Sequence, residues 1–93
     1  MITAIVMIDT AADVIPEVAE KIANIEGISE VYSVTGGVDL VAIARVNRHD
    51  DLAGVIADRL SKVPGVLKTQ THIAFRSYSR HDLAQAFDLG LGD

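Results

Sequence analysis

Residues 21–34, KIANIEGISEVYSV, and residues 59–72, RLSKVPGVLKTQTH, follow one design: the end of an amphipathic helix, a glycine, then an extended run rich in β-branched side chains. The two glycines, Gly27 and Gly65, fall at matching points 38 residues apart. Glycine suits the left-handed position that closes a helix because it has no Cβ to clash there. Another apolar extended run precedes each unit, residues 3–9 and 38–46, so the chain reads β-α-β-β-α-β. Such a chain has few options: two α-β halves must bury their apolar faces against one shared sheet.

Local punctuation places the elements. Ile2, Ala4, Val6 and Ile8 share one face of the first strand, but Ile5 and Met7 make the opposite face apolar too. Asp13 is the expected cap of a first helix whose stripe runs Val14, Val18, Ile22, Ile25, with Pro16 tolerated in the first turn. Residues 28–35 and 38–46 read as strands joined by a tight Gly36-Gly37 hairpin. Asp50 is the expected cap of a second helix bearing Leu52, Val55, Ile56, Leu60 and Val63, which Pro64-Gly65 ends before a last strand over residues 66–75. Ser79 with Asp82 resembles a capping box, and Leu83 and Phe87 lie four apart, so a short third helix is expected over residues 80–89. The predicted class is α+β: a ferredoxin-like βαββαβ fold with a four-stranded antiparallel sheet, both helices on one face, and a short C-terminal helix.

That arrangement makes the first and third strands central and leaves one sheet face bare. Both central strands are nevertheless apolar on both faces, with Val41 and Ile43 against Leu40, Ala42 and Val46 on the third. A soluble monomer rarely exposes so large an apolar patch, so sheet-to-sheet pairing into a dimeric α/β barrel is expected.

Composition narrows the function classes. Ninety-three residues suffice for one small core and no second module. A net charge of -5 and a pI near 4.9 argue against a phosphate-backbone partner, since the eight Lys and Arg residues are scattered. No Cys is present, and no H-x-x-x-H or H-E-x-x-H spacing occurs, so neither a metal nor another cofactor is expected. The apolar runs are far shorter than the roughly 20 residues a bilayer requires, and MITAIVMID lacks a secretory signal's charged start. A cytoplasmic protein with no membrane partner is the expectation.

Residues 34–40 (VTGGVDL), Ala44-Arg45-Val46, Val63-Pro64-Gly65-Val66 and Thr69-Gln70-Thr71, in this order and spacing, resemble the effector-binding domain of the Lrp/AsnC feast/famine regulators, the RAM (regulation of amino acid metabolism) domain. The likeness covers residues 2–76; residues 1–76 are taken as the domain, with residues 77–93 as a C-terminal helix and tail. Gly37 and Val38 stand where the family pattern usually has an acidic and an aromatic residue. No counterpart of the family's helix-turn-helix is found in these residues, so a stand-alone form without direct DNA binding is expected. The resemblance implies a small effector, typically an amino acid, bound where dimers meet in a larger ring, here an octamer or decamer. It places the site at Ser33, Thr35, Gly36, Gly37 and Asp39 of the hairpin and Gln70, His72, Ile73 and Ala74 of the last strand.

The chemistry is compatible with an amino acid. Bare glycine amides bind a carboxylate, and Asp39 offers a partner to an ammonium group. A plainer role for each residue stays open: Gly36-Gly37 would serve any tight hairpin, and a carboxylate beside a turn commonly bonds the turn itself. Function therefore reads as a non-enzymatic, oligomeric small-molecule sensor that acts on a full-length homologue or another partner. An alternative is a cofactor-independent monooxygenase-like dimeric α/β barrel, which shares the topology but requires a polar pocket inside one protomer.

Overall fold

The computed structural model describes residues 1–78 and Arg80. Strands β1 (Ile2–Thr10), β2 (Ile28–Ser33), β3 (Leu40–Val46) and β4 (Val66–Ala74) form one antiparallel sheet in the order β2-β3-β1-β4. Strands β1 and β3 are central, as the β-α-β-β-α-β order requires. The third helix expected over residues 80–89 lies outside the described residues.

The alternation of side chains along the central strands sends Ala4, Val6 and Ile8 of β1 and Leu40, Ala42 and Ala44 of β3 to one face, where all are fully buried. Helix α1 (Ile15–Ala23) lays Val18 and Ile22 on that face, and a second helical segment, residues 49–62, adds Leu52, Val55 and Leu60. Pro16 falls in the first turn of α1, where its missing N–H is no loss.

The repeated glycines close both helices in the same way. Each has φ of 100°, and each carbonyl accepts from the other half's chain: Gly27 O from Arg45 N of β3 at 2.8 Å, and Gly65 O from Ala11 N, just past β1, at 2.9 Å. The packing is reciprocal. A Cβ built on Gly27 would sit 2.6 Å from Val55 Cγ2 of the second helical segment, and one on Gly65 would sit 2.6 Å from Val18 Cγ2 of α1. Each half's glycine is thus the floor on which the other half's helix rests.

Three local expectations are corrected. Neither helix is capped by an aspartate side chain: Asp13 lies in a 3-10 turn (Ala12–Val14) ahead of α1, and Asp50 falls inside the first turn of its helix, behind Arg48, with which it pairs at 3.6 Å. The second helix is not uniform. It opens as α (His49–Leu52), widens to i→i+5 winding over Ala53–Arg59 and tightens over Leu60–Lys62, so Leu52, Val55 and Leu60 all reach the core. The hairpin is also wider than a two-residue turn, for Ser33 pairs with Leu40 and residues 34–39 form the loop; only Gly36, at φ 122°, takes a positive angle there.

The other face of the sheet carries no helix among the described residues. Ile5, Met7, Val41 and Ile43 form its centre and are only half-buried. Polar residues flank this strip: Glu30, Tyr32 and Arg45 toward the β2 edge, and Lys68, Gln70 and His72 along β4. Here the Arg45 guanidinium donates to Glu30 Oε1 at 3.1 Å and the Tyr32 hydroxyl to Glu30 Oε2 at 2.8 Å. The hydrogen bond from Tyr32, then that from Arg45, holds the Glu30 carboxyl below its ordinary range, while Glu30 pushes the Tyr32 phenol up. A depressed carboxyl contributes stability above its unfolded pKa and loses it as pH falls through the folded value; a raised phenol contributes below its unfolded pKa and loses it as pH rises through the folded one. Both contributions are present at neutral pH. In an ultraviolet titration, Glu30→Gln should therefore move the phenolate transition that Tyr32→Phe removes to lower pH. An unchanged Tyr32 midpoint in Glu30→Gln would contradict this.

Candidate functional site

At the end of the open face where β1 finishes, the loop over residues 34–39 folds against the sheet. Asp39 N–H donates to Ile8 O at 3.0 Å, and Asp39 Oδ2 accepts from Thr10 N–H at 2.9 Å, so the side chain continues the β1–β3 ladder for one further rung. The loop closes on itself through Val34 N–H, which donates to Asp39 O at 3.1 Å. At the same level β1 and β4 shift register: Asp9 faces Lys68 but Thr10 faces Val66, leaving Leu67 as the extra residue of a bulge. A bulge bends and twists the strand end, which re-aims the side chains beside it.

A shallow cavity of about 180 Å³ opens at this corner, lined by Met7, Asp9, Gly37, Val38, Lys68, Thr69 and Gln70. Of the residues selected from sequence, it brings Gly37 and Gln70 together. The remainder are distributed otherwise. Ser33 pairs with Leu40 and, like Thr35 and Gly36, is exposed outside the lining; Asp39 is occupied by the Thr10 amide; His72 lies further along the open face opposite Ile5. Ile73 belongs to the opposite, helix-bearing face, across from Ala4, and Ala74 pairs with Thr3 at the far end of the strand.

Sequence reasoning missed Asp9 and Lys68, which no family motif marks. The signal lay in the outward row of β1, where Ile5 and Met7 are followed by a charge, Asp9, and in the matching Lys68, Gln70, His72 row of β4. A larger groove of about 560 Å³ lies at the opposite end of the strands, between Gly27, Val46 and the second helical segment, and shares no residue with this corner. Among the described residues no group of three or more His, Asp or Glu could hold a metal ion, and no helix is long and apolar enough to cross a membrane.

Comparison with known proteins gives this corner a context. The family model of the Lrp/AsnC ligand binding domain matches residues 3–84. The Bacillus subtilis HTH-type transcriptional regulator YugG is 35% identical over 77 residues, 83% of this chain and 45% of that protein. The Saccharolobus solfataricus HTH-type transcriptional regulator LysM is 33% identical over 78 residues, 83% of this chain and 54% of its own. The chain thus spans about half the length of these curated relatives. Among solved structures, the TTHA0845 protein of Thermus thermophilus superposes with a TM-score of 0.81 at 40% identity, over 86% of this chain and 100% of that one. A transcriptional regulator of Neisseria meningitidis, NMB0573, solved as a complex with L-Met, shares the fold at a TM-score of 0.75 and 16% identity, over 85% of this chain and 53% of its own. On the extent of the family match, from Thr3 almost to the end of the chain, this protein belongs to the Lrp/AsnC ligand-binding-domain family.

Proposed function

We infer that the domain binds a small-molecule effector, an amino acid, at the loop end of its open sheet face, while a second copy covers the apolar centre of that face. The observation that carries this reading is the corner itself: a cavity with a carboxylate, an ammonium group and a bare glycine on its rim, at the margin of an apolar surface that no helix among the described residues covers. Support comes from the family's ligand-binding character, from relatives named as transcriptional regulators, and from the Neisseria fold neighbour solved with L-Met. The role we assign is regulatory, in line with relatives named as HTH-type transcriptional regulators. Dimers meeting at these corners would build an octamer or decamer, and a longer homologue carrying a DNA-binding domain is the natural protein partner. Residues 77–93 follow the domain as a C-terminal segment.

A thermal-shift screen of the twenty amino acids tests the reading directly. A ligand present at a hundred times its dissociation constant adds roughly 2.7 kcal/mol to stability, which in a domain this size raises Tm by roughly 10 °C or more. At least one amino acid should do so. A flat response to all of them would remove the sensor reading.

A further inference from the structure

We propose that Asp9 and Lys68 read the two charges of a zwitterionic effector, Asp9 its ammonium and Lys68 its carboxylate, and that Asp39 positions them rather than touching the ligand. This rests on the effector reading above and deepens it. Asp9 and Lys68 are register partners on adjacent strands and face the same side of the sheet, and both line the cavity of about 180 Å³. Opposite charges directly across an antiparallel pair ordinarily attract each other. Among the described residues their side chains form neither an ion pair nor a hydrogen bond. A half-buried carboxylate and an exposed ammonium, neither engaged by another side chain, therefore stand side by side at a cavity that Met7, Thr69 and Gln70 also line. A molecule carrying an ammonium and a carboxylate on one carbon pairs with both groups at once, whereas a simple anion or cation pairs with only one of them.

Two further observations bear on the assignment. The bulge falls between Asp9 and Thr10, and Asp39 Oδ2 accepts the Thr10 N–H at 2.9 Å, so the carboxylate that the family pattern would offer to a ligand is holding the bent strand end in place. Gly37 has no positive φ and nothing within 4 Å of where its Cβ would be, so the backbone does not demand glycine there; the missing side chain leaves the cavity mouth open. At about 180 Å³ the cavity is small, which suits an α-amino acid with a short side chain.

Titration calorimetry on the full chain, with L-alanine and L-serine as probes, decides the matter. Asp9→Asn and Lys68→Met should each weaken binding at least tenfold while leaving the melting temperature within about 2 °C of the parent, as expected for surface changes away from the core. The double exchange Asp9→Lys with Lys68→Asp keeps both charges in the cavity and should recover affinity lost in Asp9→Lys alone with no change in melting temperature, whereas a merely structural pair would show its loss and recovery in the melting temperature. Asp39→Ala should lower Tm, and a rise in ligand concentration should restore binding. If L-alanine or L-serine binds the parent and both single variants with equal affinity, the assignment is wrong while the sensor reading survives. Should neither probe bind the parent when another amino acid does, the short-side-chain zwitterion is overturned; should no amino acid bind, both readings fall together.

Discussion

Gly65→Ala should destabilise the domain by about 2–5 kcal/mol, and Gly27→Ala by a similar amount. Two costs add at each position. The backbone φ of 100° lies in the region where an L side chain suffers roughly 1–2 kcal/mol of steric strain. The new methyl would also press into a packed core, 2.6 Å from Val18 Cγ2 and 2.9 Å from Val14 Cγ2 at Gly65, and 2.6 Å from Val55 Cγ2 at Gly27; overpacking of this kind costs about 1–3 kcal/mol. Valine is branched at Cβ and stiff, so the neighbour cannot swing aside as a long side chain would. Against a typical stability of about 5–15 kcal/mol, either change would consume a large fraction, visible as a fall in Tm of roughly 10 °C or more. Gly54→Ala is the matched control. That glycine is helical and nothing lies within 4 Å of its Cβ position, so alanine there should stabilise by roughly 0.5–1 kcal/mol. Thermal melts of the three variants suffice, and equal Tm values for Gly65→Ala and Gly54→Ala would refute the packing account.

The second large effect concerns association. Ile43→Glu, at the centre of the open face, should raise the dissociation constant between copies by at least a hundredfold while leaving the fold intact. Ile43 lies between Ile5, its partner on β1, and the β2 residue Glu30, on the side of the sheet away from the helices, so a monomer tolerates a charge there. A dimer closed over the same face would have to bury that carboxylate without a partner, at a cost of about 3–5 kcal/mol, and roughly 1.4 kcal/mol is tenfold in affinity. Sedimentation equilibrium or light scattering reads the outcome against the 9.9 kDa protomer. A parent protein that is monomeric at micromolar concentration would dispose of the covering copy altogether.

The path of the chain was legible because the signals are local and repeated. The stripes Val14, Val18, Ile22, Ile25 and Leu52, Val55, Leu60 could bury themselves only against the alternating faces of β1 and β3, and the Gly27 and Gly65 repeat marked where each helix gives way to a strand. Helix starts were read less well. Asp13 and Asp50 have the right residue type at nearly the right place, but a 3-10 turn before α1 and an earlier start at His49 displaced both from the capping position.

The site was legible only in outline. The family motif drew attention to the loop and the last strand, and two of its residues, Gly37 and Gln70, do meet at one cavity. What the motif could not convey was side-chain direction, because a β-strand sends alternate residues to opposite faces and a one-residue difference decides which side of the sheet Ile73 or His72 serves.

By itself, then, the amino-acid sequence determined the order of elements, the buried face and the apolar excess on the other face, since all three follow from short-range periodicity and from where glycine is required. Only the tertiary structure decided that Asp39 Oδ2 accepts the Thr10 amide, that Asp9 and Lys68 stand across from each other with no ion pair among the described residues, and that both line one cavity beside a bulge. Those relations join residues about thirty to sixty positions apart in the chain, and their register depends on how β1 seats between two neighbours at once, a property of the assembled sheet that no local pattern encodes.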